Sequence, residues 1–138
     1  MVDAERVRRR LGELDRRLLL LDDLRGTSLP DYRRDVALQA QVERHLQLAL
    51  QAAIDVALHL VAEEPGRRVE GYGDAFVALA ERGVLPGPLA ARLRTAAGMR
   101  NVLVHGYVDV DPDLVLASLD HLGDLRDLAA AVDRALDA

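Results

Sequence analysis

Residues 42–61, VERHLQLALQAAIDVALHLV, decide the architecture. Val42, Leu46, Ala49, Leu50, Ala53, Ala57, Leu60 and Val61 recur at three- and four-residue steps, the period of one helix face. The pattern extends into a helix from Asp31 to Glu64, which Pro65-Gly66 ends. At about 1.5 Å per residue such a rod is roughly 45 Å or longer. That exceeds what one small domain needs, so a second face is expected to be offered to a partner. Four more helices flank it. Val7, Leu11, Leu14, Leu18 and Leu21 stripe a helix from Asp3 to Leu24, closed by Gly26, Thr27, Ser28 and Pro30. Asp74 caps a short helix through Arg82, with Gly83 at its end. Pro88 opens a helix running from Leu89 to Gly106. Asp111 and Pro112 start the last, Asp113 to Leu136, with Val115, Leu119, Leu122, Leu125, Leu128 and Val132 inside. Five helices on short connections predict an all-α, antiparallel bundle, with residues 1–138 as one domain.

Composition agrees. Half of the 138 residues are apolar, with Leu, Ala and Val dominant and a single Ile, so sheet is disfavoured. The absence of Cys excludes disulfides and thiolate metal sites and fits a reducing cytoplasm. No run of about 20 apolar residues is present to span a membrane. Charge from the third residue onward argues against a secretory leader. There is no Lys; all 18 basic side chains are Arg, a bias that coding composition or a hot habitat explains and that also suits phosphate forks. A net charge of -5 argues against broad coating of nucleic acid and leaves room for a local basic pocket.

Chemistry concentrates in Arg100-Asn101-Val102-Leu103-Val104-His105-Gly106-Tyr107. A guanidinium to hold anionic oxygens and an imidazole to move protons are the minimum for cutting a phosphodiester without a metal. Asn101 and His105 share a helix face, whereas Arg100 and His105 are five apart, about 140° around an ideal helix. Either the helix ends near Val104, so that Gly106 lets the imidazole swing, or a second subunit brings its own Arg and His across a two-fold axis. The plain alternative is a hydrogen-bonded cap network at a helix end.

The order Arg, four residues, His, one residue, Tyr resembles the motif of the HepT toxins, a branch of the HEPN ribonuclease superfamily. The resemblance extends over nearly the whole chain, through Gly71-Tyr72-Gly73-Asp74-Ala75-Phe76, Leu79-Ala80-Glu81-Arg82-Gly83-Val84-Leu85, Leu93 and Ala97-Gly98-Met99. It implies a homodimeric bundle whose paired motifs line one cleft, and a toxin that cleaves RNA without metal or other cofactor. The ribose 2′-OH attacks its neighbouring phosphate, His105 transfers the proton, Arg100 holds the phosphate, and Asn101 orients His105 or binds a phosphate oxygen. The implied partner, besides RNA, is a minimal nucleotidyltransferase antitoxin (MntA-like) that silences the toxin by adding AMP to Tyr107. Without the resemblance, Tyr107 is an aromatic plug at the helix end. A competing expectation is a catalytically silent helical module that partners a nucleotidyltransferase.

Other polar residues are weaker candidates. Asp55 is either solvated or a partner for Arg100, and the resemblance favours the partner; Glu43 matters less. Arg92 and Arg94 either extend an RNA groove or form a solvated face. His45 and His59 are fourteen residues apart, too far for one metal, and are read as surface or interface residues, as is His121. The run Arg8-Arg9-Arg10 reads as a solvated face. Tyr72 packs over a helix end or stacks a base.

Overall fold

The computed structural model describes residues 3–66, 68–106 and 110–138, and the regular structure among them is entirely helical. Seven α-helices follow in order: α1 (Ala4–Leu24), α2 (Leu29–Arg34), α3 (Val36–Val61), α4 (Tyr72–Glu81), α5 (Gly87–His105), α6 (Pro112–Ser118) and α7 (Leu122–Asp137). A 3₁₀ turn, Leu119–His121, joins the last two. None is long and apolar enough to cross a membrane.

Two of the five expected helices are divided. The long second one breaks at Asp35, whose extended backbone (φ -112°, ψ 92°) frees its carboxylate to cap α3 by accepting from the Leu38 amide at 3.0 Å. Ser28 caps the short α2 in the same way, with Pro30 in its first turn. The last helix is interrupted by the 3₁₀ turn, yet Val115, Leu119, Leu122, Leu125, Leu128 and Val132 are all buried as the periodicity requires. Asp74 is not the cap of α4. That helix begins at Tyr72, and the Asp74 carboxylate reaches back to the Glu70 amide from within the first turn.

α3 is the axis of the bundle and packs against all six other α-helices. The buried face is wider than the predicted stripe, because Ala52, Ile54 and Val56 on its flanks are buried as completely, while Arg44, Leu48, Gln51 and Asp55 on the opposite side stay exposed or half-buried. Ala49, Ala52, Ala53 and Ala57 are small enough for neighbours to approach from several sides. α1 lays Val7, Leu14, Leu18 and Leu21 against this axis, each at most 1% exposed. Full burial of each leucine contributes roughly 1.5–3 kcal/mol, so the α1–α3 seam is a main source of stability.

Two glycines set the geometry near the motif. Gly83, at φ 79°, ends α4 with paired bonds from the Gly83 amide to the Ala80 carbonyl and from the Val84 amide to the Leu79 carbonyl. Gly73 lets α4 cross close over α5, because a Cβ there would lie 2.7 Å from Arg94 Cγ and 3.4 Å from the Arg94 carbonyl oxygen. That approach carries the adjacent Tyr72 over the second half of α5.

Candidate active site

α5 carries two kinds of face. Leu89, Leu93 and Ala97 are buried, and Arg100 continues their three- and four-residue steps, so its half-buried side chain leans inward. Arg94, Gly98, Asn101 and His105 form the adjoining exposed face at the same steps. The helix stays regular through His105, where the Gly106 amide bonds the Val102 carbonyl at 2.7 Å. A Cβ at Gly106 would come within 2.8 Å of that carbonyl oxygen, so glycine is what permits this ending. The helix therefore does not end early enough for the imidazole to swing toward Arg100. Their backbone positions lie about 140° apart on a regular helix, while the guanidinium reaches Asn101 at the edge of the His105 face.

Arg100 is held on three sides. Its Nε donates to Gln51 Oε1 at 2.7 Å, its Nη1 donates to Asn101 Oδ1 at 3.1 Å, and its Cζ lies 5.1 Å from the centre of the Tyr72 ring. A guanidinium has five N–H groups, so three remain without a partner among the described residues. This is an oriented cation with spare donors, suited to bidentate contact with a phosphate. His105 is exposed and makes no hydrogen bond or ion pair among the described residues. Beside them, Tyr72, Gly73, Asp74, Arg94, Gly98 and Asn101 line a cleft of about 350 Å³ between α4 and α5.

Several expectations change. Asp55 does not meet Arg100; it accepts from Gln51 Nε2 at 2.8 Å, and Gln51 bridges to the guanidinium. Gln51, which the sequence did not single out, is the residue that holds Arg100, although an amide four residues before a carboxylate on one helix face is a recognisable pair. Arg92 turns away from the motif and pairs with Asp124 on α7 at 3.1 Å. It is eight residues from Arg100, about 80° around the helix, whereas Arg94 is seven from Asn101 and lines the cleft. Tyr72 does not plug a helix end: its ring backs Arg100, and it remains exposed on the wall of the cleft. Glu43 sits near buried Tyr32, whose phenol is pushed up to about 12, first by burial and then by the Glu43 charge. His45 is half-buried and meets Arg17, Nδ1 to Nη1 3.1 Å. Tyr107 lies outside the described residues.

The model of the "Ribonuclease HepT-like" family matches residues 10–135. The chain belongs to the HepT-like ribonuclease family. Over 110 residues it is 34% identical to a tRNA nuclease HepT of Aphanizomenon flos-aquae, covering 80% of this chain and 75% of that protein. Over 90 residues it is 30% identical to an mRNA nuclease HepT of Shewanella oneidensis, covering 65% and 68%. Solved structures share the HepT-like fold. A cytosolic protein of unknown function from Bacillus subtilis, YutE, superposes with a TM-score of 0.85 at 20% identity over 99% of this chain and 92% of its own. A tri-AMPylated Shewanella oneidensis HEPN toxin, in complex with an MNT antitoxin, gives 0.84 at 24% identity over 97% and 99%.

Proposed function

We propose that this HepT-like ribonuclease is the toxin of a toxin–antitoxin pair, a metal-independent endoribonuclease that acts as a homodimer in the cytoplasm. The observation that carries the reading is the contrast along α5 between a guanidinium fixed with open donors and an unengaged imidazole on a different face. Each is ready for use, and their backbone positions lie about 140° apart on one helix. Two copies related by a two-fold axis would gather two guanidinium groups and two imidazoles in one cleft, an acid and a base together.

In that cleft Arg100 accepts the scissile phosphate on its free N–H groups and stabilises the charge that builds on it. One His105 takes the proton of the ribose 2′-OH as that oxygen bonds to phosphorus. The bond from phosphorus to the 5′ oxygen breaks, and His105 of the partner subunit protonates the departing oxygen. The products are a 2′,3′-cyclic phosphate and a 5′-hydroxyl, so DNA is not a substrate. Asn101 lies between the two groups, bonded to Arg100 and on the His105 face, and steadies the phosphate. Tyr107, two residues beyond His105, is the acceptor for AMP from a minimal nucleotidyltransferase antitoxin. An added phosphate and purine there would compete for Arg100 and repel RNA. Its similarity to a tRNA nuclease HepT, an mRNA nuclease HepT and a tri-AMPylated HEPN toxin supports this reading.

The test is cleavage of RNA in EDTA. His105→Ala is expected to lose about 100-fold or more of the rate. Equal cutting by both proteins, or by neither, would leave the catalytically silent binding module as the better account.

A further inference from the structure

Most arginines that cross between helices are engaged by acids: Arg8 by Asp137, Arg33 by Asp113, Arg92 by Asp124 and Arg126 by Asp22. Arg6, Arg9 and Arg10 are different. They are exposed, fan over about 100° of α1 with Arg6 in the middle, and have no ion pair among the described residues. They border two adjoining clefts on the α1–α3 seam. One, about 350 Å³, has Arg6, Arg10 and His59 on its walls; the other, about 550 Å³, has Arg9, Arg10, Arg16 and Gln51. Arg10 and Asp55 are common to both. The carboxylates on this path are already used: Glu13 by Arg16 and Arg17, and Asp55 by the Gln51 amide.

Gln51 closes the connection. It lines the second cleft and holds Arg100 at 2.7 Å. A row of uncompensated guanidinium groups therefore leads along the seam to the residue that grips the scissile phosphate. From Arg6 to Arg10 the row rises about 6 Å along the helix, and its long side chains widen that reach, enough to meet neighbouring phosphates of one strand. In a chain of net charge -5, three arginines without an ion pair are where an anionic polymer gains most from neutralised phosphates, although the Asp55 carboxylate stands beside them.

We propose that Arg6, Arg9 and Arg10 form a track for the RNA backbone, holding phosphates next to the one that is cut. The track rests on the ribonuclease reading. Its contacts are to phosphate, so it sets affinity and register without reading base identity. Because they form equally with substrate and transition state, their loss raises KM and leaves kcat unchanged.

The experiment measures binding of a labelled single-stranded RNA to the His105→Ala protein across a salt series. Beside it stand a triple variant, Arg6→Gln with Arg9→Gln and Arg10→Gln, and a control of equal charge loss, Arg25→Gln with Arg34→Gln and Arg134→Gln. The α1 triple should lower the slope of log affinity against log salt by about 2, at roughly 0.7 per lost phosphate contact, and the control should barely change it. Each single α1 variant should lower it by about 0.7, which keeps the test intact if the triple folds poorly. With His105 restored, the α1 variants should show the rise in KM alone. An unchanged slope for the α1 variants, or an equal drop in the control, overturns the track. If the unaltered protein cuts RNA while the α1 triple matches it in KM, the track alone fails. If the unaltered protein neither binds nor cuts RNA, the ribonuclease reading fails and the track with it.

Discussion

Replacing Gln51 by Leu tests whether Arg100 works because it is aimed. The substitution keeps the side chain's bulk and removes the acceptor 2.7 Å from Arg100 Nε. A hydrogen bond to a charged group contributes roughly 1.5–3 kcal/mol when well buried. Both residues here are only half-buried, so water replaces part of it and about 1.4 kcal/mol is the working figure, a tenfold effect. The guanidinium would keep its contact with Tyr72 but gain freedom about its long side chain, and that ordering must be restored when a phosphate binds. The expected outcome is a fall of about tenfold in kcat/KM for RNA, with little change in thermal midpoint. The decisive arm is a double-mutant cycle: in an Arg100→Ala background, Gln51→Leu should cost almost nothing more. A second arm, Gln51→Glu, preserves the acceptor but places a negative charge against the guanidinium, so RNA cleavage should also fall. If Gln51→Leu costs the same tenfold whether or not Arg100 is present, Gln51 does not act through Arg100 and the reasoning is refuted.

Other outcomes follow from the same structure. Tyr72→Phe should leave cleavage unchanged, because the ring face and not the hydroxyl lies over Arg100, whereas Tyr72→Ala should lower it by about 0.5–1 kcal/mol in a competition assay of the two proteins. Gly73→Ala forces a methyl group to within 2.7 Å of Arg94 Cγ, so α4 must lift from α5, with a loss of about 1–3 kcal/mol in urea unfolding. Leu79→Ala, at a fully buried position where α4 meets the core, should cost about 2–5 kcal/mol by the same measurement. Burial first, and the Arg17 charge second, hold the His45 pKa below its ordinary 6.5. The unfolded chain therefore binds this proton more readily than the folded one, so stability is full above about pH 6.5 and falls as pH drops through that value. His45→Gln should flatten this loss on the acid side; an unfolding midpoint that declines as steeply between pH 7 and 5 as in the parent would contradict it. Intact mass after coexpression with the nucleotidyltransferase should show AMP additions that disappear in Tyr107→Phe, and their persistence would move the acceptor elsewhere.

The helical class and the core were legible because apolar spacing is a local property. Every residue of the predicted stripe in α3, and all six interior positions named for the last helix, are buried. The divisions were harder to see. Asp35 competes for the backbone as a cap, and its neighbours Arg34 and Val36 give no Gly or Pro signal. The extra width of the buried face of α3 was invisible because it depends on six helices arriving around it. At the site, Asn101 and His105 on the same outer face were readable from spacing. The assignment of Asp55 to Arg100 was wrong by one turn, since residue type suggested a carboxylate where the fold places an amide.

That difference has a consequence for the chemistry. Arg100 occupies a position on α5 that the preceding Leu89, Leu93 and Ala97 would fill with an apolar residue, so it must be partnered or lose solvation. A carboxylate partner would meet that need but would neutralise the charge a phosphate has to find. Gln51 meets it with a neutral oxygen, while Asp55, one turn further along α3, fixes which end of the amide faces Arg100 by accepting from its nitrogen. Tyr72 adds a ring face and likewise no net charge. The guanidinium is thus oriented by three groups, Gln51, Asn101 and Tyr72, none of which carries a formal negative charge. An arginine built only to tie helices together, as Arg33 or Arg126 does, is matched with an aspartate. The neutral setting of Arg100 is what a binding site requires and what a structural tie does not.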